Sequence, residues 1–119
     1  MNWKPDKDKP ICAQLCEHMS SQIASGYYKP HDKLPSVREL AVLVGVNPNT
    51  VQRSYEILEG QGIIYTLRGN GRYVAEDITR SQESIKKLRV EKTREYFSQM
   101  KLLGFDTDET KDYIKEWSE

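Results

Sequence analysis

The chain has 119 residues, 30% of them charged and 37% hydrophobic, and its 18 basic side chains are balanced by 18 acidic ones. That length holds one small core plus an appendage, and no apolar run approaches the roughly 20 residues that span a bilayer. With no signal-peptide pattern at its start, the composition points to the cytoplasm and lacks the global footprint of a strongly basic nucleic-acid binder.

Residues 1–9 are polar and read as an extended arm, with Trp3 placed to anchor it. From Pro10 the pattern predicts a helix to about Ser25, ended by Gly26. Ile11, Leu15, Met19 and Ile23 form its apolar stripe, widened by Cys12 and Cys16. Two cysteines four apart on a helix could offer two metal ligands. Neither His18 nor His31 completes a zinc spacing, however, so the thiols read as small core hydrophobes. YYKPHDKLP follows as a connector, with a turn at residues 29–32 and His31 exposed within it. Lys33 and Leu34 are expected to pair briefly with a later hairpin.

Residues 33–74 carry the densest signals. Ser36 and Glu39 form an S-x-x-E capping box, and Val37, Leu40, Ala41 and Val44 recur at helical spacing. Gly45 closes that helix. Asn47 is an N-cap, Pro48 suits the first helical position, and Val51, Tyr55 and Leu58 form the next apolar stripe. Two helices joined this tightly make a helix-turn-helix. The second helix leaves Asn49, Thr50, Gln52, Arg53 and Glu56 off its buried face, and amides, hydroxyls and guanidinium groups read base edges and phosphates. Gly60 and Gly62 end it. IIYTL, the glycine-rich turn RGNGR and the returning RYV then predict a hairpin, so the fold class is mainly α with a small β-hairpin, a winged helix-turn-helix.

Beyond Ala75 a long helix is expected, with Ile85, Leu88, Tyr96, Met100 and Leu103 on one side and Lys92 interrupting the stripe. Gly104 ends it. Thr107 is read as the N-cap of a short amphipathic helix bearing Tyr113, Ile114 and Trp117. These two helices are too small to bury their own apolar faces or to enclose an ordinary metabolite pocket. Packing against a second copy solves that problem. The predicted organisation is therefore a DNA-binding domain at residues 1–76 and a helical dimerisation region at 77–119. Residues 1–76 hold nine basic and eight acidic side chains, and 77–119 hold nine and ten, so neither half is strongly charged. No catalytic constellation, metal site or cofactor motif is present: GNG in the wing lacks the context of a phosphate-binding loop, and two distant histidines make no triad.

LPSVRELAVLVGVNPNTVQRSYEILEGQGII followed by RGNGRYV resembles the DNA-binding domain of the GntR family of bacterial transcriptional regulators. The likeness covers roughly residues 10–75, and the short helical remainder is similar to the YtrA-like subgroup, which has two helices where others carry a large effector domain. The resemblance implies DNA contacts from Arg38, Asn47, Asn49, Thr50, Gln52 and the wing around Gly69. Many relatives have a basic residue where this chain has Pro48, so one contact is absent or supplied by Arg53. The family commonly has glycine at the position of His31. Control of a neighbouring transporter operon is implied by the subgroup alone.

The expected function is that of a homodimeric regulator, a repressor binding an inverted-repeat operator in double-stranded DNA, and not an enzyme. Ser36, Arg38, Asn47, Asn49, Thr50, Gln52 and Arg53 form its helical DNA face, and Arg68, Gly69, Asn70 and Arg72 its wing. Thr50 and the backbone amides at the two helix starts are expected to hold phosphates. Ile85, Leu88, Tyr96, Met100, Leu103, Tyr113, Ile114 and Trp117 form the expected dimer interface. The alternative is a winged-helix protein-interaction module, favoured by the zero net charge.

Overall fold

The computed structural model describes residues 3–118, which form two compact units divided after Ile85. In chain order the elements are α1 (Ile11–Ala24), α2 (Val37–Val44), α3 (Pro48–Gly60), β1 (Ile64–Leu67), β2 (Gly71–Val74), α4 (Thr79–Leu102) and α5 (Thr107–Glu116). The architecture is mainly α with one antiparallel hairpin, as expected. Among the described residues, no helix is long and apolar enough to cross a membrane.

The first unit is built on three helical stripes that meet. Leu15, Met19 and Ile23 of α1 face Leu40, Ala41 and Val44 of α2 and Val51, Tyr55 and Leu58 of α3. Ile63, Ile64 and Val74 close this core from the hairpin side. Each such side chain contributes roughly 1.5–3 kcal/mol on burial, so the periodicity alone selects which faces meet. Cys12 and Cys16 are half-buried beside α3: Cys16 Sγ donates to the Ser54 carbonyl at 3.6 Å, and Ser54 Oγ lies 3.3 Å from Cys12 Sγ. Burial, with Cys12 beside it, pushes the Cys16 thiol up to about 11. Both cysteines therefore serve as packing groups between α1 and α3. No group of three or more His, Cys, Asp and Glu placed to hold a metal ion occurs among the described residues.

The pairing expected at Lys33 and Leu34 is present. Lys33 bridges Tyr73, Leu34 donates its N–H to the Arg72 carbonyl at 2.8 Å, and Val74 donates to Asp32 at 3.0 Å. Two boundaries differ from the sequence-based expectation. The first unit runs to Ile85, not to residue 76, because Ile78 packs on the core and Ser81 and Ile85 are buried. Arg80 also donates to the Gln61 carbonyl at 3.0 Å, placing a cation at the C-terminal end of α3. Asp106, not Thr107, caps α5. Its carboxylate accepts from Glu109 N–H at 2.9 Å and Glu109 returns the bond, a capping box in which Thr107 is the first helical residue.

Within the second unit, Phe105 donates its N–H to the Met100 carbonyl at 3.0 Å and packs edge-on against Tyr113. Thr110 is fully buried, its hydroxyl satisfied by the Asp106 carbonyl at 2.8 Å. Most large apolar side chains of this unit stay in water.

Trp3 does anchor the N-terminal arm. Its ring stacks on His18 at 4.2 Å and 6° and packs on the core. Burial holds the His18 imidazole below its ordinary value of 6.5, and its Nε2 has no hydrogen-bond partner. The unfolded chain therefore takes up a proton near pH 6.5, where the folded chain does not yet do so. Stability is complete above that pH and is lost as pH falls from 6.5 through the folded value. The melting temperature should decline as pH falls below about 6.5. His18→Phe, which keeps the stack, should flatten that decline in a thermal scan. Equal declines in both proteins would exclude His18 as the source.

Candidate nucleic-acid interface

The helix-turn-helix is set by caps. Ser36 Oγ accepts from Glu39 N–H, and the Glu39 carboxylate accepts from Ser36 N–H, each at 3.1 Å. Those bonds hold the exposed Glu39 carboxyl below its ordinary range, the Ser36 backbone N–H contributing most. Gly45 adopts φ 70°, which an L side chain resists, and the N–H groups of Gly45 and Val46 both return to the Ala41 carbonyl. That turn redirects the chain at once into Asn47, whose side chain accepts from Asn49 N–H at 2.8 Å, and Pro48 opens α3.

The start of α3 does not offer the phosphate-binding amides expected of it. Pro48 has no N–H, Asn49 N–H is taken by the Asn47 side chain, and Thr50 and Val51 N–H both bond the Asn47 carbonyl. At α2 the N–H groups of Ser36 and Glu39 are likewise taken. Those of Val37 and Arg38, by contrast, have no acceptor among the described residues. The open backbone amides thus lie at the start of α2 and not of α3.

Ser36, Arg38, Asn47, Asn49 and Arg53 are exposed, while Thr50 and Gln52 are half-buried. The wing pairs Ile64 with Val74, Tyr65 with Tyr73, Thr66 with Arg72 and Leu67 with Gly71. Its tip turns through an Asn70 N–H to Leu67 carbonyl bond of 2.9 Å, with Gly69 at φ 83° and Gly71 at φ 103°. Arg68, Gly69 and Asn70 are exposed there. Arg72 is not part of that exposed tip. It lies on the strand face shared with buried Val74, half-buried, its Cζ 5.1 Å from the centre of the Tyr55 ring and its Nη2 donating to Gln52 Oε1 at 3.2 Å. Gln52 Nε2 in turn donates to Glu56 at 2.9 Å. Helix and wing are thereby tied through one guanidinium.

Three groups near this surface escaped the sequence reading. Lys4 reaches the helix-helix turn, its Nζ 3.6 Å from where a Cβ on Gly45 would lie. Lys33 runs beside the wing, its Cε 3.3 Å from the same position on Gly71. His31 takes φ 66°, donates its N–H to the Val74 carbonyl at 2.9 Å, and its Nδ1 lies 2.9 Å from the Tyr65 hydroxyl. The turn proline and the strand expected at Lys33 marked the place, but no local pattern marked these contacts.

The model of the "Bacterial regulatory proteins, gntR family" matches residues 12–74. The chain belongs to the gntR family. It is 38% identical over 115 residues to the HTH-type transcriptional repressor YtrA of Bacillus subtilis, covering 96% of this chain and 88% of that protein. It is 40% identical to the regulator YhcF of the same organism over 111 residues, 93% of this chain and 92% of the relative. A GntR family transcriptional regulator from Listeria monocytogenes superposes with a TM-score of 0.82 at 38% identity, covering 96% of this chain and all of the other. The AraR DNA-binding domain, solved in complex with operator ORE1, matches 56% of this chain and 82% of its own length, with a TM-score of 0.54 and 36% identity. The gntR family consists of DNA-binding transcriptional regulators, not enzymes.

For this gntR-family wing the two positive φ values carry a test. Valine at both Gly69 and Gly71 should deform the tip, since neither φ suits a β-branched residue, and at Gly71 the Lys33 side chain would also have to shift. Binding to promoter DNA should fall with little change in melting temperature, because the tip is remote from the core. Melting that collapses as fully as binding would make the tip a structural element.

Proposed function

We propose that this gntR-family chain is a cytoplasmic repressor that binds an inverted-repeat operator as a homodimer. One observation carries the DNA-reading part: the polar face of α3 stands exposed beside an exposed, arginine-bearing wing tip, the two tied together through Arg72. In this reading α3 enters the major groove with Asn49, Gln52 and Arg53 facing base edges, Asn47 and Thr50 flanking them at the groove wall. Arg38, Ser36 and the open amides of Val37 and Arg38 hold a phosphate at the start of α2. Arg68, Gly69 and Asn70 reach the flanking backbone or minor groove. Repression follows from occlusion of a promoter, with YtrA, itself a repressor, as supporting relative. The subgroup resemblance adds a neighbouring transporter operon as the regulated unit.

Arg38→Ala and Arg53→Ala should each weaken operator binding by roughly 1–3 kcal/mol without altering the melting temperature, as expected for lost charge-assisted contacts. Fluorescence anisotropy on DNA from upstream of the encoding gene measures this. Affinity unchanged in both variants sinks the assignment. The same titration repeated across salt concentrations separates DNA recognition from a protein-docking role, since phosphate contacts impose a steep negative slope.

The dimer reading rests on the second unit. Leu102, Leu103 and Trp117 are 88%, 79% and 59% exposed, and Tyr96, Tyr113 and Ile114 are exposed as well. Leu88 and Met100 are half-buried, and Ile85, buried within the single chain, drops out of the expected interface. A two-fold interface would cover this surface on both copies and set two recognition helices about one DNA turn, roughly 34 Å, or a multiple of it apart. A chain ended after Ile85 retains the core cluster and should be a folded monomer that binds a half-site weakly. Analytical ultracentrifugation decides the matter: a dimeric short chain, or a full-length chain that stays monomeric at micromolar concentration, overturns it.

A further inference from the structure

Gln52 sits on the recognition helix with both ends of its side-chain amide engaged. Its Oε1 accepts from Arg72 Nη2 at 3.2 Å and its Nε2 donates to Glu56 at 2.9 Å. A guanidinium can only donate and a carboxylate can only accept, so the amide has a single orientation. Turning it over would set N–H against N–H and oxygen against oxygen. Arg72 is itself fixed from below: its Cζ lies over the ring of fully buried Tyr55, whose hydroxyl donates to the Pro35 carbonyl at 2.6 Å. The strand around it is pinned by the Leu34 N–H bond to its own carbonyl.

We infer that Arg72 is a specificity-determining positioning residue, which holds the Gln52 amide in one orientation toward DNA. The inference rests on the operator-binding reading of α3 and says what one residue of that face recognises. The paired amide–adenine contact needs the amide oxygen to accept from adenine N6 while its N–H donates to N7. Arg72 takes one lone pair of Oε1 and Glu56 one Nε2 hydrogen, so one acceptor site and one donor site remain, in a fixed order. A fixed order matches one arrangement of donor and acceptor along a base edge and mismatches its reverse. Arg72 never has to touch DNA to exert this choice.

Two variants test it. Arg72→Met keeps an unbranched side chain over Tyr55, and Arg72→Thr keeps a residue suited to a strand, so a folding failure in one leaves the other. Full-length protein is used to select from a randomised duplex DNA library. In the wild-type selection one position should show a preferred base, and Gln52→Ala should erase that preference. Either Arg72 variant should weaken that preference by at least about fivefold and leave other positions as they were. In the Gln52→Ala background, replacing Arg72 should then change nothing at that position. Free protein supplies a second readout, because the Gln52 side-chain amide signals in a nitrogen–proton spectrum should shift when Arg72 is replaced. Affinity lost equally over all sequences would make Arg72 a phosphate contact and overturn the inference, as would unshifted Gln52 signals. A wild-type selection that yields no preferred sequence would overturn the operator reading too, whereas a clear motif unmoved at that position overturns only the clamp.

Discussion

The hydroxyl of Tyr55 donates to the carbonyl of Pro35, and the geometry of the DNA-facing surface depends on that bond. The ring is fully buried, and burial, with Tyr28 nearby, pushes the phenol well above its ordinary value, so it stays a neutral donor. A carbonyl left unpaired in such surroundings costs about 1–3 kcal/mol, which makes the bond costly to leave unmade. Three parts converge on this one side chain. Pro35 immediately precedes the cap of α2, Tyr55 belongs to α3, and Arg72 of the wing lies over the ring. The angle between the two helices and the placement of the hairpin therefore share a common anchor. A rigid reading head of this kind loses little conformational entropy on binding.

Local charge is scarcer than a count of arginines implies. Arg72 is half-buried against Gln52 and Tyr55, and Arg80 gives one N–H to the Gln61 carbonyl. Arg38, Arg53 and Arg68 remain exposed, with Lys33 and Lys4 close to the wing and the helix-helix turn. A handful of phosphate contacts gives modest non-specific affinity. Discrimination among sequences then has to come from base edges and from fixed side-chain orientation. A chain with 18 charges of each sign fits that division of labour, because the surface away from DNA gains nothing from attracting it.

The capping boxes, the glycine turn and the hairpin were legible because each depends on residues within a few positions of one another. Ser36 with Glu39, and Asn47 with Pro48, specify helix starts whatever the rest of the chain does. Thr107 misled for the same local reason: Asp106 is an equally good cap one residue earlier, and it alone has Glu109 at the reciprocal spacing. The role of Arg72 was within reach, since strand alternation puts it on the side of Val74 and away from Tyr73. Reading arginine as a DNA contact obscured that. Ile85 and Lys4 were not legible. Burial of the one and approach of the other to Gly45 are tertiary facts with no periodic signature.

The placement of Arg80 bears on how the two units of the chain divide their work. Its guanidinium meets the carbonyl end of α3, where the helix dipole favours a cation, and Ile78, Ser81 and Ile85 bury the opening of α4 in the first unit. The beginning of α4 is thus part of the reading head, and the exposed apolar residues of α4 itself begin only beyond it. A partner engaging those later residues acts on a helix whose first turns are already fixed to the end of α3.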